Sequence, residues 1–505
     1  MPATLTYPGV YIEEVPSGVH TITGVATSIA AFVGWAAQGP VDRALLVQSW
    51  PEYERAYGGR DRRNSFGHSV NQFFTNGGQQ AYIIRLAATD AGTASVVVGG
   101  ALQIDARNPG DWAKSYGVST KIRTDDATRF RLQVISHPTG ATTDVVAESF
   151  ENLSMVAGDQ RDVVKVVAAE SSFVSAVVLG GATTPPADTV VPQMLGGPPG
   201  LDGTVLQPNT AGYETALQAG GGSHGVNLLD QIDLFNLLCV PGETTNTVIQ
   251  QLEAFCRARR AFLIVDTDQA PNLTNLIQNG PDATIAGADA INGALYFPWV
   301  QAPDPLQQNR IEEYPPCAFV AGIYARTDGQ RGVWKAPAGT DASLTGAAGL
   351  RTPLTDLQNG QLNIRAINCL RNLTVFGNVV WGARTLRGNN EVGSEWKYVP
   401  VRRMALFLEE TLYRSTKWVV FEPNDAPLWA QIRLNIGAFM QTLFLQGAFQ
   451  GASPREAYFV KCDKETTTQT DIDNGIVNIV VGFAPLKPAE FVVIKIQQIA
   501  QQAQV

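Results

Sequence analysis

The sequence predicts a multidomain α/β (α+β) protein. We expect a discontinuous α/β core domain with an inserted β-rich domain, a C-terminal α/β domain, and an extended β-strand arm at each terminus. At 505 residues the chain is too long for a single hydrophobic core. Helix and strand patterns alternate over 24–90 and again over 201–359, whereas the stretch between them is almost purely strand-like.

The composition narrows the class of protein. Charged residues make up 16% of the chain, the net charge is −9, and there is no Lys/Arg run, so we expect no binding of nucleic acid. The five isolated cysteines lie mostly in apolar contexts and fit reduced core thiols of a cytoplasmic protein. We expect no signal peptide, because the first residues have neither a basic n-region nor an apolar h-region. We expect no direct membrane insertion, because no apolar run approaches ~20 residues.

The first residues predict a strand-like arm followed by a short linker over 16–24. Val10 and Ile12 alternate with Tyr11 and Glu13, which is the two-residue period of a β-strand. Such a strand needs backbone partners that the neighbouring sequence does not supply. We therefore predict that an interface arm includes these side chains: Tyr7, Val10, Tyr11, Ile12, Glu13, Glu14 and Val15.

The last residues predict a second arm. Val492, Ile494 and Ile496 fall on one face of an extended segment, and Phe491, Val493 and Lys495 fall on the other. Pro485 and Pro488 end the preceding domain and make 484–489 a second linker. Two terminal strands without internal partners indicate a protein that assembles by adding strands to its neighbours.

The C-terminal domain has the clearest helical pattern. Val401, Met404, Ala405, Leu408 and Leu412 share one helix face. A second long helix follows the caps at 424–425, and strands are predicted at 417–421, 457–462 and 477–483. The predicted division is 1–23 (arm and linker), 24–90 with 201–359 (core domain), 91–200 (β-rich insertion), 360–489 (C-terminal domain) and 490–505 (arm).

One short motif resembles a catalytic element. Residues 221–225 (GGSHG) match the nucleophile-elbow pattern around Ser223. That chemistry needs a strand before the serine, whereas a helical segment precedes it here, and His224 lies too close in sequence to act as its base. A flexible glycine loop is the better interpretation. A serine hydrolase that uses Ser223 is kept as an alternative function.

Three acidic or cysteine patterns lead to no metal site. Asp471 to Gly475 resembles the start of a calcium loop but lacks its ligand spacing, so an Asn-Gly turn between two strands is simpler. Asp266 and Asp268 follow an apolar strand and favour helix capping over Mg²⁺ binding. The cysteines lack Cys-x-x-Cys spacing. We expect no metal, no cofactor and no catalytic residue.

The charge distribution suggests a partner surface. Residues 361–461 carry 12 Lys/Arg and 7 Asp/Glu, a net charge of +5 on an acidic protein. A basic C-terminal domain facing an acidic partner explains this as well as local charge balance does. Arg402 and Arg403 are the candidate positions for such a surface.

Nine motifs spread over the chain carry a family resemblance. They are YPGVYIEE (7–14), FTNGG (74–78), NLLCVPG (236–242), GVWKAPA (332–338), NCLR (368–371), VWGARTL (380–386), FEPND (421–425), FVKCD (459–463) and APLKPAEF (484–491). Together and in this order, they resemble the tail sheath proteins of contractile phages and phage-like contractile injection systems. The likeness is weakest over 91–200.

The resemblance implies a structural role in a helical homopolymer. Subunits would form hexameric rings stacked around an inner tube protein, and baseplate and terminal cap proteins would close the ends. Arms 5–15 and 490–497 would join a sheet on neighbouring copies by strand exchange, 91–200 would face outward, and Arg402 and Arg403 would face the tube. Contraction would drive the tube through a target envelope. The particle would be made in the cytoplasm of the producing cell and released by lysis. A non-contractile structural coat protein is the second alternative function.

Overall fold

The computed structural model describes residues 20–137, 143–198, 200–218 and 224–495. Over these residues the strands are β1 Ala30–Trp35, β2 Leu45–Val47, β3 Ala81–Leu86, β4 Ser95–Val98, β5 Leu102–Ala106, β6 Tyr116–Ile122, β7 Phe130–Ser136, β8 Val145–Leu153, β9 Val174–Val178, β10 Gln193–Met194, β11 Leu237–Cys239, β12 Phe262–Asp266, β13 Gly293–Phe297, β14 Val300–Asp304, β15 Arg310–Tyr314, β16 Gly349–Leu350, β17 Ile367–Leu373, β18 Gly377–Val380, β19 Tyr458–Lys461 and β20 Val480–Phe483.

The α-helices alternate with these strands through much of the chain. They are α1 Trp50–Tyr57, α2 Phe66–Thr75, α3 Val163–Glu170, α4 Ala211–Gln218, α5 Asn246–Ala258, α6 Leu273–Asn279, α7 Cys317–Arg331, α8 Asp356–Ile364, α9 Val399–Ser415, α10 Ala426–Leu445, α11 Pro454–Ala457 and α12 Gln469–Asp473. The protein is thus a mixed α/β structure with several sheets, as the sequence predicted.

The chain forms two compact units. The larger unit comprises 27–329 and 337–397, and the described part of the smaller unit comprises 20–26, 330–336 and 398–495. The sequence interpretation started the C-terminal domain at 360, but β17 and β18 belong to the main sheet of the larger unit. That pairing joins Leu295 of β13 to Ile367 of β17 and cannot be read from local sequence patterns.

An eight-stranded sheet organises the larger unit. Its order is β18-β17-β13-β12-β11-β1-β3-β2, with six central parallel strands and an antiparallel strand at each edge. All six residues of β1 are buried, as expected for a strand covered on both faces. Side chains from the sheet and from flanking helices such as α5 form one continuous apolar core.

Residues between 94 and 201 contain a second apolar core. It lies between a four-stranded sheet, β10-β6-β7-β8, and a three-stranded sheet, β4-β5-β9. The helix α3 packs against β9 and β8. This region is rich in strands, as its alternating sequence pattern predicted.

The smaller unit packs α9 and α10 with a two-stranded sheet, β19-β20. Asp425 caps α10, because its side chain accepts a hydrogen bond from the backbone N–H of Leu428 at 3.1 Å. The predicted strand over 417–421 is wrong: Lys417–Val419 form a single 3₁₀ turn. Trp418 contacts the apolar core of the unit, which favours the turn over an extended strand.

Candidate assembly interface

The N-terminal segment is attached to the smaller unit from its first described residue. The ring of His20 stacks on that of Trp418 with their centroids 4.2 Å apart. Ile22 packs on the apolar core of the unit. The backbone N–H of Val25 donates to Oγ1 of Thr411 at 3.3 Å. The part of the predicted linker that the structure describes, 20–24, is therefore docked on the unit.

The C-terminal segment is held at two places on the same unit. The backbone N–H of Ala484 donates to the carbonyl of Ala457 at 2.8 Å, directly after β20. The hydroxyl of Tyr398 donates to Oε2 of Glu490 at 3.1 Å. Beyond that point, residues 491–494 expose between 73% and 81% of their surface. The segment thus becomes largely exposed after Glu490, at the end of the predicted linker.

The sheet β19-β20 provides two strand edges. Among the described residues each of its strands pairs only with the other, in antiparallel register from Tyr458–Phe483 to Lys461–Val480. The hydroxyl of Tyr458 donates to Oε1 of Gln441 at 2.9 Å, so this end of β19 is fixed to α10. Phe459 and Val480 remain 49% and 44% exposed. A two-stranded sheet of this kind can accept further strands.

The structure covers only part of the predicted arms. Residues 7–15 and Ile496 lie outside the described residues. The described part of the second arm, 491–495, has no regular secondary structure, although its sequence alternates as a strand does. In one copy of the chain these residues have no strand partner among the described residues, so their strand conformation stays a prediction.

Arg402 and Arg403 are not exposed, contrary to the expectation. Their side chains belong to α9, and they are 5% and 3% exposed. Nη1 of Arg402 lies 3.1 Å from Oε1 of Glu409, one of its polar partners. Both positions adjoin the apolar helix face, and this burial makes them structural residues of the smaller unit.

The excess of basic residues found over 361–461 does not belong to the smaller unit once the observed unit boundary is used. Five of the 12 basic residues of 361–461 lie before 398, in the larger unit. Residues 398–495 contain ten Lys/Arg and ten Asp/Glu, so their formal charge is zero. The main segment of the smaller unit is therefore not basic, and charge alone does not identify its partner.

Ser223 of the nucleophile-elbow pattern lies outside the described residues. The helix α4 precedes it, as the sequence predicted, where the hydrolase motif would need a strand. His224 lines a cavity of about 900 Å³ whose other lining groups are mostly aliphatic or glycine. The described surroundings therefore do not have the strand–turn–helix form that this chemistry uses.

Asp266 has a structural role at the carboxyl end of β12. Its carboxylate accepts backbone N–H groups of Gly242 at 3.0 Å and of Cys317, the first residue of α7, at 2.7 Å. Complete burial raises the pKa of Asp266 to about 6, although these hydrogen bonds lower it. This geometry agrees with the predicted helix capping.

The calcium-like sequence has a local structural role too. Residues 471–473 lie in α12, which Thr468 caps, and Asn474 and Gly475, the latter with φ 71°, follow the end of the helix. The predicted Asn-Gly turn between two strands is wrong, because Asn474 and Gly475 end a helix instead. Among the described residues no group of three or more His, Cys, Asp or Glu side chains could hold a metal ion. No described helix has the length and apolarity needed to cross a membrane.

Two family models match the chain in consecutive segments. The phage tail sheath protein central domain matches residues 221–386, and the phage tail sheath C-terminal domain matches residues 391–499. Together they cover more than half of the chain. The break between them, at 387–390, falls close to the unit boundary at 397–398.

Two curated relatives are sheath proteins by name. A prophage protein of Pseudomonas aeruginosa (strain UCBPP-PA14), named as a major tail sheath protein, is 28% identical over 297 residues, which cover 56% of this chain and 68% of the relative. The tail sheath protein of Enterobacteria phage T4 is 26% identical over 246 residues, which cover 46% of this chain and 36% of the relative.

Solved structures share the fold over nearly the whole chain. The helical sheath of the anti-feeding prophage in its contracted state has a TM-score of 0.61 at 23% identity, with 98% of this chain and 100% of that chain covered. The contracted PVC sheath complex of an extracellular contractile injection system has a TM-score of 0.60 at 23% identity, with 98% of each chain covered. The sheath tail protein of Listeria innocua has a TM-score of 0.61 at 12% identity, with coverages of 92% and 96%.

The sequence motifs, the two consecutive family matches and the shared fold agree. This chain belongs to the phage tail sheath protein family.

Proposed function

We propose that this chain is the repeating subunit of a contractile sheath, a helical homopolymer of stacked hexameric rings around an inner tube. The observation that carries the proposal is the pair of terminal segments on the smaller unit. Both are fixed there, at Val25 and Glu490, and the second ends in an exposed apolar stretch. The same unit contains the two-stranded sheet β19-β20, whose edges can accept strands.

Strand addition supplies the joint between copies. The arms at 5–15 and 490–497 of two neighbours add to β19-β20 of a third copy, and main-chain hydrogen bonds hold them there. Apolar side chains of the added strands, such as Val492 and Ile494, then become buried. The contacts are between backbones, so they tolerate a change in the relative orientation of the copies.

Contraction needs no catalytic site in this chain. Work comes from the difference in free energy between an extended and a contracted packing, repeated over many copies. In this arrangement the insertion at 91–200 faces outward and the smaller unit, starting at 398 rather than 360, faces the tube. Baseplate and terminal cap proteins close the ends. The particle assembles in the cytoplasm of the producing cell, and lysis releases it.

Deletion of residues 1–15 tests the proposal. The truncated chain should fold as a monomer and fail to polymerise, because one of the two arms is missing. Sedimentation and negative-stain electron microscopy measure both outcomes. Sheath of normal length and appearance from the truncated chain would contradict the arm assignment.

The two rivals make different predictions. A serine hydrolase needs Ser223, so Ser223→Ala would abolish its activity, whereas a sheath with that substitution should assemble and contract normally. A non-contractile coat would assemble through the same arms but show one state only. Images of the particles before and after mild denaturant stress should show two lengths if the sheath contracts.

A further inference from the structure

One face of α9 receives the N-terminal segment. Phe407 and Thr411 are four residues apart on α9, so they lie on the same face of the helix. Oγ1 of Thr411 accepts a hydrogen bond from the N–H of Val25. A Cβ atom added at Gly24 would lie 2.8 Å from Cζ of Phe407, and the ring of Phe439 beside Phe407 limits how far that ring can move. The backbone at 24–25 therefore lies directly on this face.

The same segment reaches the C-terminal end of α9 a few residues earlier in the chain. The ring of His20 stacks on that of Trp418, which lies three residues past the last residue of α9. The chain from His20 to Val25 can span up to about 17 Å. That length covers the seven residues from Thr411 to Trp418, which rise by about 10 Å if helical. We call residues 20–25 the strap, since they run along α9 to this end.

The C-terminal segment is held at the opposite end of α9. Tyr398 is the N-cap residue of α9, and its hydroxyl donates to Oε2 of Glu490 at 3.1 Å. Most residues of α9 are buried in the smaller unit, so the helix is a rigid element of that unit. Its 17 residues place its two ends about 25 Å apart.

We propose that α9 sets the separation between the two predicted arms, with the strap as the anchor of one arm and Tyr398 as the anchor of the other. The predicted arm at 5–15 is joined to the strap by the four residues 16–19. The predicted arm at 490–497 begins at the residue that Tyr398 binds. This inference rests on the proposed function, because the separation matters only if both arms pair with other copies.

The strap shortens the tether between the first arm and the body of the subunit. The local concentration of a tethered segment falls with about the −3/2 power of the tether length. Four residues, 16–19, separate the arm from the strap, whereas ten, 16–25, would separate it from the body if the strap were detached. The docked strap therefore raises the local concentration of the arm about fourfold.

Matched insertions test where the first arm is anchored. Six Gly/Ser residues inserted between Val19 and His20 lengthen the tether from four to ten residues and leave the strap in place. The concentration needed for assembly, measured by sedimentation, should rise about fourfold at unchanged Tm. The same six residues between Ala26 and Thr27, on the other side of the strap, are the control and should leave that concentration unchanged. Equal effects of the two insertions, or no effect of the first, would overturn the proposal.

The separation itself is measured with spin labels. Thr21→Cys and Ala489→Cys place the labels at exposed positions, and the five native cysteines are buried and should not react. Double electron–electron resonance should give a distance on the order of 25 Å, set by the length of α9. His20→Ala should broaden the distance distribution, whereas His20→Phe, which keeps a ring on Trp418, should not.

The possible outcomes separate this proposal from the proposed function. A label separation below about 15 Å would place both arms at the same end of α9 and overturn the proposal, because that helix is about 25 Å long. An unchanged distribution in His20→Ala would show that the stack does not position the strap. Failure of the parent chain to form any particle would instead overturn the proposed function.

Discussion

The backbone N–H of Val25 donates a hydrogen bond to Oγ1 of Thr411, which lies 386 residues later in the chain. Together with the hydrogen bond from Tyr398 to Glu490, it fixes both terminal segments to the smaller unit. Two strands that extend from the same unit can each pair with a different neighbouring copy of the chain. The unit can then move as a whole while both strands stay paired. The C-terminal segment is therefore fixed at Glu490, where its strand is predicted to begin, and the N-terminal segment is fixed from His20 onwards, after the end of its predicted strand.

Thr411→Val should destabilise the smaller unit. Thr411 is completely buried, and the substitution leaves the N–H of Val25 without this acceptor. We expect a loss of about 1–2 kcal/mol in the free energy of unfolding, measured by urea unfolding with tryptophan fluorescence. The matched control is Thr442→Val on the exposed face of α10, which should change stability by less than about 0.5 kcal/mol. Equal stability of the two variants would contradict the docking of the N-terminal segment.

Tyr398→Phe should loosen the start of the C-terminal arm. The substitution removes the hydroxyl that donates to Glu490 and keeps the ring. Hydrogen–deuterium exchange should become faster over 486–491 and stay unchanged in α10. Tyr413→Phe is the control, because Tyr413 lies near the other end of α9 and is 53% exposed. Unchanged exchange over 486–491 would show that Tyr398 does not hold the arm.

Local sequence patterns predicted the smaller unit well where one helix face decides the structure. Val401, Met404, Ala405 and Leu408 are buried on α9, and Asp425 caps α10, as their spacing indicated. The strand at 417–421 was wrong, because the packing of Trp418 outweighs the strand preference of its β-branched neighbours. Packing of this kind depends on residues distant in sequence.

The candidate tube-facing residues show a second limit of prediction from local sequence. Charge at Arg402 and Arg403 suggested exposure, but a guanidinium that finds carboxylate and other polar partners can be buried. The predicted domain boundary at 360 also differs from the structure because of a contact between residues distant in sequence. The strand β17 pairs with β13, more than 70 residues earlier in the chain. Neither the ion pair nor the strand pairing has a local sequence signal.

Arg402→Glu should disrupt folding rather than tube binding. The new carboxylate would lie beside Glu409 in a buried position. We expect a loss on the order of 3–5 kcal/mol in stability, seen as a lower Tm and a lower soluble yield. Arg455→Glu, at an exposed position of α11, is the matched control and should keep its Tm. A soluble Arg402→Glu protein with the parental Tm would contradict the burial of this side chain.

Glu253 should make the stability of the larger unit depend on pH. Its side chain is buried in α5, Oε1 has no hydrogen-bond partner among the described residues, and burial with the nearby Asp289 carboxylate raises its pKa to about 8. The folded state therefore binds a proton that the unfolded state, with a pKa of about 4.3, has released. Its contribution to stability is fully present below a pH of about 4.3, the pKa of the unfolded state. That contribution is lost as the pH rises through about 8, the pKa of the folded state.

Glu253→Gln removes this proton linkage. The parent should lose on the order of 2 kcal/mol of stability between pH 6 and pH 9 through Glu253, and the variant should not. Urea unfolding at both pH values measures the difference. The same fall in stability in both proteins would show that Glu253 does not hold a proton in the folded state.

A cryo-electron microscopy map of the assembled sheath would show directly whether copies exchange strands. We expect β19-β20 of each copy to gain strands from two other copies, one from residues 5–15 and one from residues 490–497. Continuous density from those segments into the sheet of a neighbour is the expected result. A sheet that remains two-stranded in the polymer, with both terminal segments folded back on their own copy, would contradict it.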